Sequence, residues 1–139
     1  MRNKGFTLVE LLVTMAISAI LISFATVSLL GLQHKTSLTT TVNKITTDIR
    51  SQQLRAMNGT PTGIYFTANS YTLIDGSNFP VNLDEGLEFS AISFAGQTIL
   101  FNPGNGEITA AGTVILRDKV SGEGKTFNVN KLGNIYELL

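Results

Sequence analysis

The first quarter of the chain is an almost uninterrupted apolar run. From Phe6 to Leu32, a stretch of 27 residues contains a single ionisable side chain, that of Glu10. As an α-helix, with a rise of about 1.5 Å per residue, this run would be roughly 40 Å long. The hydrocarbon core of a bilayer is about 30 Å thick, so the pattern predicts a helix able to span a membrane.

A second helical pattern follows the apolar run. Four apolar residues recur at spacings of four, three and four, as expected for a helix with one buried face: Leu38, Val42, Ile45 and Ile49. We expect the helix to continue from Phe6 to about Met57. It should end at Asn58-Gly59, because glycine readily adopts the left-handed conformation that closes many helices.

Beyond Thr60 the hydrophobic period changes to two, and turn residues arrive at regular intervals. Seven strands are predicted, near residues 63–67, 70–74, 88–94, 98–102, 112–118, 125–130 and 134–138. Their short connections favour antiparallel pairing. Alternating apolar residues give these strands a face that can cover the stripe of the second helical pattern: Ile64, Phe66, Ile99, Phe101, Val114, Leu116, Phe127 and Val129. The expected fold class is therefore α+β, a long N-terminal helix with its second half packed on an antiparallel sheet head.

Charge and composition narrow the function. The 139 residues carry ten basic and ten acidic side chains, so the overall balance does not indicate strong attraction to nucleic acid. There is no cysteine and only one histidine, His34. Thiolate metal sites, disulfides and Cys–His catalysis therefore lack their residues, a single histidine leaves almost no material for Ser–His catalysis, and we expect no enzymatic activity.

Arg2 and Lys4 precede the apolar run without an acidic neighbour. This flank predicts an N-terminus in the cytoplasm and a head on the other side of the membrane. An ordinary secretory signal would have a shorter apolar region followed by its cleavage site. Here Gly5 stands before the run, so cleavage after Gly5 would leave the hydrophobic helix on the mature protein.

The segment Lys4-Gly5-Phe6-Thr7-Leu8-Val9-Glu10-Leu11-Leu12 resembles the class III signal of type IV pilins and pseudopilins. The resemblance implies that a membrane prepilin peptidase cuts between Gly5 and Phe6 and that the same enzyme methylates the new terminus at Phe6. It also assigns an assembly role to Glu10. The expected segments are a leader at 1–5, a transmembrane or filament-core helix at 6–32, an amphipathic helix at 33–58 and a β-rich head at 59–139.

A carboxylate within a membrane costs several kcal/mol, roughly 2.5 to 3.5 on insertion scales, so it requires a cation or a proton. In a bundle of staggered helices, the cationic N-terminus of one subunit can reach Glu10 of its neighbour and fix the register between them. The alternative is that Glu10 lies near the membrane surface, where its side chain reaches water and has no further role.

The second half of the chain also resembles a family. The segments "DIRSQQLRAMNGTPTGIYF", "ILFNPGNGEI" and "TFNVNKLGNIYEL" are similar to the heads of H-type minor pseudopilins of type II secretion systems and of related minor and competence pilins. This implies a structural filament subunit in the bacterial cytoplasmic membrane, with other pilin subunits and an inner-membrane assembly platform as partners. Asn134 replaces the basic residue usual after the last glycine, so that residue's role cannot be carried over.

Two further readings of the head remain open. Asp84, Glu85 and Glu88 could supply oxygen ligands to a structural calcium ion, although they lack the alternating spacing of the usual calcium loops. Otherwise we expect no cofactor. The alternative function is a DNA receptor at a pilus tip, because four basic residues could form a patch if the last hairpins align: Arg117, Lys119, Lys125 and Lys131.

Overall fold

The computed structural model describes residues 7–138. Side chains are described for these residues except residues 25–36, 137 and 138. The chain divides into two compact units, Met1–Gln33 and His34–Leu139. One helix, α1 (Leu8–Met57), contributes to both units. Each unit is described by itself below.

In the first unit, the described part of α1 exposes nearly all of its large apolar side chains. The exposed fraction is 81% for Leu8, 64% for Leu21 and 74% for Phe24. Within residues 7–138, no helix satisfies the length and apolarity expected of a membrane span.

The C-terminus of α1 closes as the sequence predicts. Gly59 has a φ of 90°, in the left-handed region. Its N–H donates to the carbonyl of Ala56 at 2.8 Å, and the N–H of Thr60 donates to the carbonyl of Arg55 at 3.2 Å. This pair of bonds is the Schellman arrangement, which satisfies carbonyls that the last helical turn leaves free.

In the second unit, the described residues form two four-stranded antiparallel sheets. The strands are β1 (Thr62–Phe66), β2 (Ser70–Ile74), β3 (Phe79–Asn82), β4 (Leu87–Ile92), β5 (Thr98–Phe101), β6 (Gly112–Asp118), β7 (Gly124–Val129) and β8 (Ile135–Leu138). One sheet has the order β3-β2-β1-β5 and the other has the order β4-β6-β7-β8. The α+β fold class, with a helix packed on antiparallel sheets, is confirmed.

Strand β3 was not predicted from the sequence. It contains Pro80, which cannot donate a backbone hydrogen bond, and it pairs with β2 alone at the edge of its sheet. Strand β4 is shorter than predicted: its register with β6 shifts between Phe89 and Ala91, and it ends at Ile92. A short 3₁₀ turn, Ala95–Gln97, lies between β4 and β5.

The hydrophobic core joins the second half of α1 to both sheets. All twelve residues predicted for the helix stripe and the facing strands are buried, with at most 3% of any of them exposed. The rings of Phe66 and Phe89, one from each sheet, meet edge to face with centroids 5.2 Å apart. The core therefore binds helix and sheets into one head.

Candidate functional site

Glu10 lies in the first turn of α1 and forms reciprocal hydrogen bonds with Thr7. The Thr7 N–H and hydroxyl both donate to Glu10 Oε2, at 3.4 and 3.3 Å. The Glu10 N–H donates to Thr7 Oγ1 at 3.3 Å. This is a capping box, in which the residue before the helix and the third helical residue satisfy each other's free N–H groups. The box was not predicted, although the Thr-x-x-Glu pattern before an apolar run is its signal in the sequence.

The surroundings of Glu10 are apolar and exposed. Leu8, Val9, Leu11 and Leu12 have between 55 and 81% of their surface accessible. So much contiguous apolar surface is unfavourable in water and is typical of a surface covered by lipid or protein. The other residues of the predicted processing site, Arg2, Lys4, Gly5 and Phe6, lie outside the described residues.

Two of the four basic residues predicted for DNA contact lie on opposite faces of one sheet. Arg117 is exposed on β6 and is paired with Glu88 of β4. Lys125 is paired with the buried Leu116, on the face towards the core. Because paired residues share a face, the strand register separates these two basic groups.

The other two basic residues, Lys119 and Lys131, also lie apart from each other. Lys119 follows β6, and its ammonium donates to Asn69 Oδ1 at 3.3 Å and to the carbonyl of Glu85 at 3.1 Å. Lys131 follows the opposite end of β7 and is exposed. Lys125 lies at the start of β7, so the length of the strand separates it from Lys131. The structure does not bring the four basic residues together.

The acidic residues considered for calcium binding have separate neighbours. Asp84 Oδ2 accepts a hydrogen bond of 2.6 Å from the Ser37 hydroxyl, while Glu88 is paired with Arg117. In the loop between them, the backbone carbonyl of Glu85 accepts the Lys119 ammonium. Across residues 7–138, no group of three or more His, Cys, Asp or Glu side chains is placed to hold a metal ion.

The end of α1 holds two loops of the head. The Gln53 amide donates to the carbonyls of Gly106 and Leu132, at 3.2 and 2.7 Å. A side chain at Gly133 would lie 2.2 Å from Gln53 Nε2, so the close approach requires glycine there. We call this contact of Gln53 with the loops at Gly106 and Leu132 the Gln53 clasp, and its close packing explains the glycine at position 133.

A buried phenol also connects α1 to the first sheet. The Tyr71 hydroxyl donates to Asp48 Oδ2 at 2.5 Å, and Tyr71 is only 1% exposed. Burial, followed by the hydrogen bond and the charge of Asp48, raises the pKa of Tyr71 well above its ordinary value. The contact is structural, because it lies within the core of the head.

Comparison with known proteins gives one match. Residues 1–26 match the family model of the prokaryotic N-terminal methylation motif. No curated protein and no solved structure matches the chain significantly. The matched segment contains the predicted processing site and Glu10, and it precedes a head in which a helix packs on antiparallel sheets. The match supports the predicted resemblance of the N-terminal segment to type IV pilins and pseudopilins, and the α+β head is consistent with a pilin-like fold.

Proposed function

We propose that the protein is a minor subunit of a pseudopilus or pilus and that it enters the filament through its N-terminal helix. The observation that carries the proposal is the methylation motif over residues 1–26, with Glu10 set in an exposed apolar surface. An acidic group in such a surface favours a partner that supplies both apolar contacts and a positive charge. A neighbouring processed subunit supplies both.

In the proposed mechanism, segment 6–32 first anchors the precursor in the cytoplasmic membrane, with the N-terminus inside and the head outside. A prepilin peptidase hydrolyses the Gly5–Phe6 bond, which leaves a carboxylate on Gly5 and an ammonium group on Phe6. Methylation of that amine retains its charge. The ammonium group of one subunit then pairs with Glu10 of another, while their apolar helices pack together in the filament core.

The head supplies contacts specific to this subunit. Its resemblance to H-type minor pseudopilins favours a type II secretion system, with a competence pseudopilus or a type IV pilus as the related settings. The proposed partners are other pilin subunits and the inner-membrane platform that assembles them. The amphipathic segment 33–58 and the β-rich segment 59–139 act together, because the end of α1 holds two loops of the head.

The test compares two substitutions in cells that carry the processing enzyme and the assembly machinery. Gly5→Leu should block leader removal, because a bulky side chain replaces glycine at the cleavage site. Glu10→Val should leave leader removal and membrane insertion intact but remove the subunit from sheared filaments. Leu11→Val is the matched control on the same helix and should assemble normally. Normal filament incorporation of Glu10→Val would refute the proposed pairing.

A further inference from the structure

Four uncharged polar side chains form one row, the polar row, across the sheet β4-β6-β7-β8. Thr113 of β6 is in register with Asn128 of β7, and Asn128 is in register with Tyr136 of β8. Ser93, directly after β4, completes the row through two hydrogen bonds with the backbone of Thr113. The row lies on the outer side of the sheet, because the next residue of β6, Val114, is buried in the core. Neighbouring strands lie about 4.8 Å apart, so the row is roughly 14 Å long.

The side chains of the polar row are held in place and still have groups with which to bind a ligand. The Thr113 hydroxyl donates to Asn128 Oδ1, and this bond leaves the two N–H groups of the amide available. The Tyr136 hydroxyl accepts from Asn130 Nδ2 at 2.9 Å. The Ser93 hydroxyl accepts the Thr113 N–H at 2.6 Å. Each of these two hydroxyls can therefore donate its own hydrogen outward, and little side-chain freedom would be lost on binding.

The polar row borders an open groove of about 320 Å³, near the lower end of the range for small-molecule sites. None of the eight residues that line the groove is charged, and those outside the row are Ala111, Gly112, Val129 and Asn130. A charged ligand would find no counter-ion among them. A standard protein–protein interface takes about 20 to 30 residues from each partner, far more than this groove supplies. The groove therefore favours a small or linear ligand that is neutral and rich in hydroxyl groups.

The ring of Tyr136 adds an apolar contact to these hydrogen-bonding groups. Tyr136 is 52% exposed, and its hydrogen bond with Asn130 fixes its hydroxyl. Sugar rings carry hydroxyl groups around their edges and C–H groups on their faces, so they can bond to amides and hydroxyls while one face lies on an aromatic ring. We propose that the polar row and its groove bind a neutral oligosaccharide. Contact with glycans outside the cytoplasmic membrane rests on the proposed function, which places the head there, whereas the binding itself does not.

Calorimetric titration of the full-length chain tests the proposal, in a detergent that has no sugar headgroup. The probes are chitotriose and cellotriose, two neutral β-linked sugars, and sorbitol, which has the hydroxyl groups but no ring. At least one of the sugars should bind, and sorbitol should not. Tighter binding of chitotriose would indicate an N-acetylated glycan such as that of the cell wall. Tighter binding of cellotriose would indicate a glucose polymer.

Variants with a single change show whether the polar row is the site. Tyr136→Ala should weaken binding about tenfold or more, because it removes both the ring and a donor. Tyr136→Phe and Asn128→Ala should each weaken it by roughly 2- to 10-fold, the equivalent of one hydrogen bond. Tyr65→Ala is the matched control, because Tyr65 is 41% exposed on β1 of the other sheet. Circular dichroism and urea unfolding check that each variant is folded.

Absence of binding of either sugar by the wild-type chain would overturn the inference, and so would equal losses in Tyr136→Ala and Tyr65→Ala. An effect of Tyr136→Ala confined to crosslinking with a neighbouring subunit would also overturn it, because the groove would then be a protein contact. These titrations need neither leader removal nor filaments. Their failure would leave the proposed function intact, whereas failure of the proposed function is measured in the Glu10→Val cells.

Discussion

At the scale of single residues, the two carboxylates that matter most differ in what satisfies them. Asp48 receives its hydrogen bond from a buried phenol inside the same folded unit. Glu10 is exposed, and its carboxylate accepts hydrogen bonds from Thr7 in its own helical turn. Because capping bonds of this kind leave lone pairs of the carboxylate open, Glu10 can still accept an ammonium group from outside. The Tyr71–Asp48 hydrogen bond therefore stabilises the head, whereas the Glu10 carboxylate is still able to accept a partner.

The Tyr71–Asp48 hydrogen bond should be measurable in the stability of the head. In a fragment of residues 34–139, Tyr71→Phe should lower the free energy of unfolding by about 1 to 3 kcal/mol, because a half-buried carboxylate loses a donor. Urea unfolding monitored by circular dichroism measures the change. Tyr65→Phe is the matched control, because Tyr65 is exposed on β1. Equal stability of the two variants would contradict a structural role for the bond.

The same residue should make the head sensitive to alkaline pH. The pKa of Tyr71 is raised by folding, so above about pH 10 the unfolded chain loses the phenol proton while the folded chain keeps it. The folded state then binds more protons than the unfolded state, so the free energy of unfolding falls as the pH rises. The wild-type fragment should therefore lose stability more steeply than Tyr71→Phe between about pH 9 and 11. Parallel pH profiles for the two proteins would show that the raised pKa does not contribute.

At the scale of elements, the clasp between α1 and its two loops should depend on glycine. Gly133 has a φ of 78°, and an added Cβ would lie 2.2 Å from Gln53 Nε2. Gly104 has a φ of 96° with nothing within 4 Å of an added Cβ. Both substitutions to alanine should cost about 1 kcal/mol for backbone strain. Gly133→Ala should cost a further 1 to 3 kcal/mol, roughly, for overpacking, measured by urea unfolding.

A double variant tests the cause of that extra cost. Truncating the amide in Gln53→Ala removes the group that the new methyl would strike. Gly133→Ala should then be less damaging in the Gln53→Ala background than in the wild type. If both glycine substitutions cost the same, or if the Gln53 background changes nothing, steric contact at the clasp is not the reason.

The elements that the sequence predicts well are those with a strong period or an unambiguous stop. The end of α1 at Gly59 and the buried strands β1, β6 and β7 follow from such signals. Strand β3 does not, because four residues containing proline carry no alternation and gain their partner only from β2. The Gln53 clasp was not predicted either. Its hydrogen bonds join Gln53 to Gly106 and Leu132, which lie 53 and 79 positions further along the chain, and a polar amide on a helix surface does not reveal its tertiary partner.

The features of the candidate site also differ in whether the sequence alone could predict them. The processing motif is local in sequence, and so is the capping box, which could have been found from Thr7 and Glu10 alone. The predicted basic patch required knowledge of which hairpin residues share a face. A shift of one position in strand register reverses the faces, so charge counting along the chain could not settle where Arg117 and Lys125 would lie.

At the scale of the whole molecule, the dispersal of basic side chains bears on the DNA-receptor alternative. Binding to DNA gains affinity from several phosphate contacts made together, each of which releases counterions. In the head, Arg117 is paired across the sheet with Glu88, and Lys119 donates to two oxygen atoms. Lys131 lies beyond the other end of β7. Because the register places Arg117 and Lys125 on opposite faces of the sheet, a single duplex lying on one face would not contact both.

Residues 34–139 should therefore show no salt-sensitive DNA binding, even at about 10 mM salt, where phosphate contacts are strongest. Fluorescence anisotropy with labelled duplex and single-stranded DNA makes the measurement, and a Glu88→Lys variant provides a matched control. That substitution replaces the acidic residue in register with Arg117 and places two basic residues side by side on the outer face, so weak binding should appear there first. If the wild-type head binds and loses affinity in Arg117→Ala or Lys131→Ala, the basic residues act together despite their separation. The DNA-receptor function would then replace a purely structural role for the head.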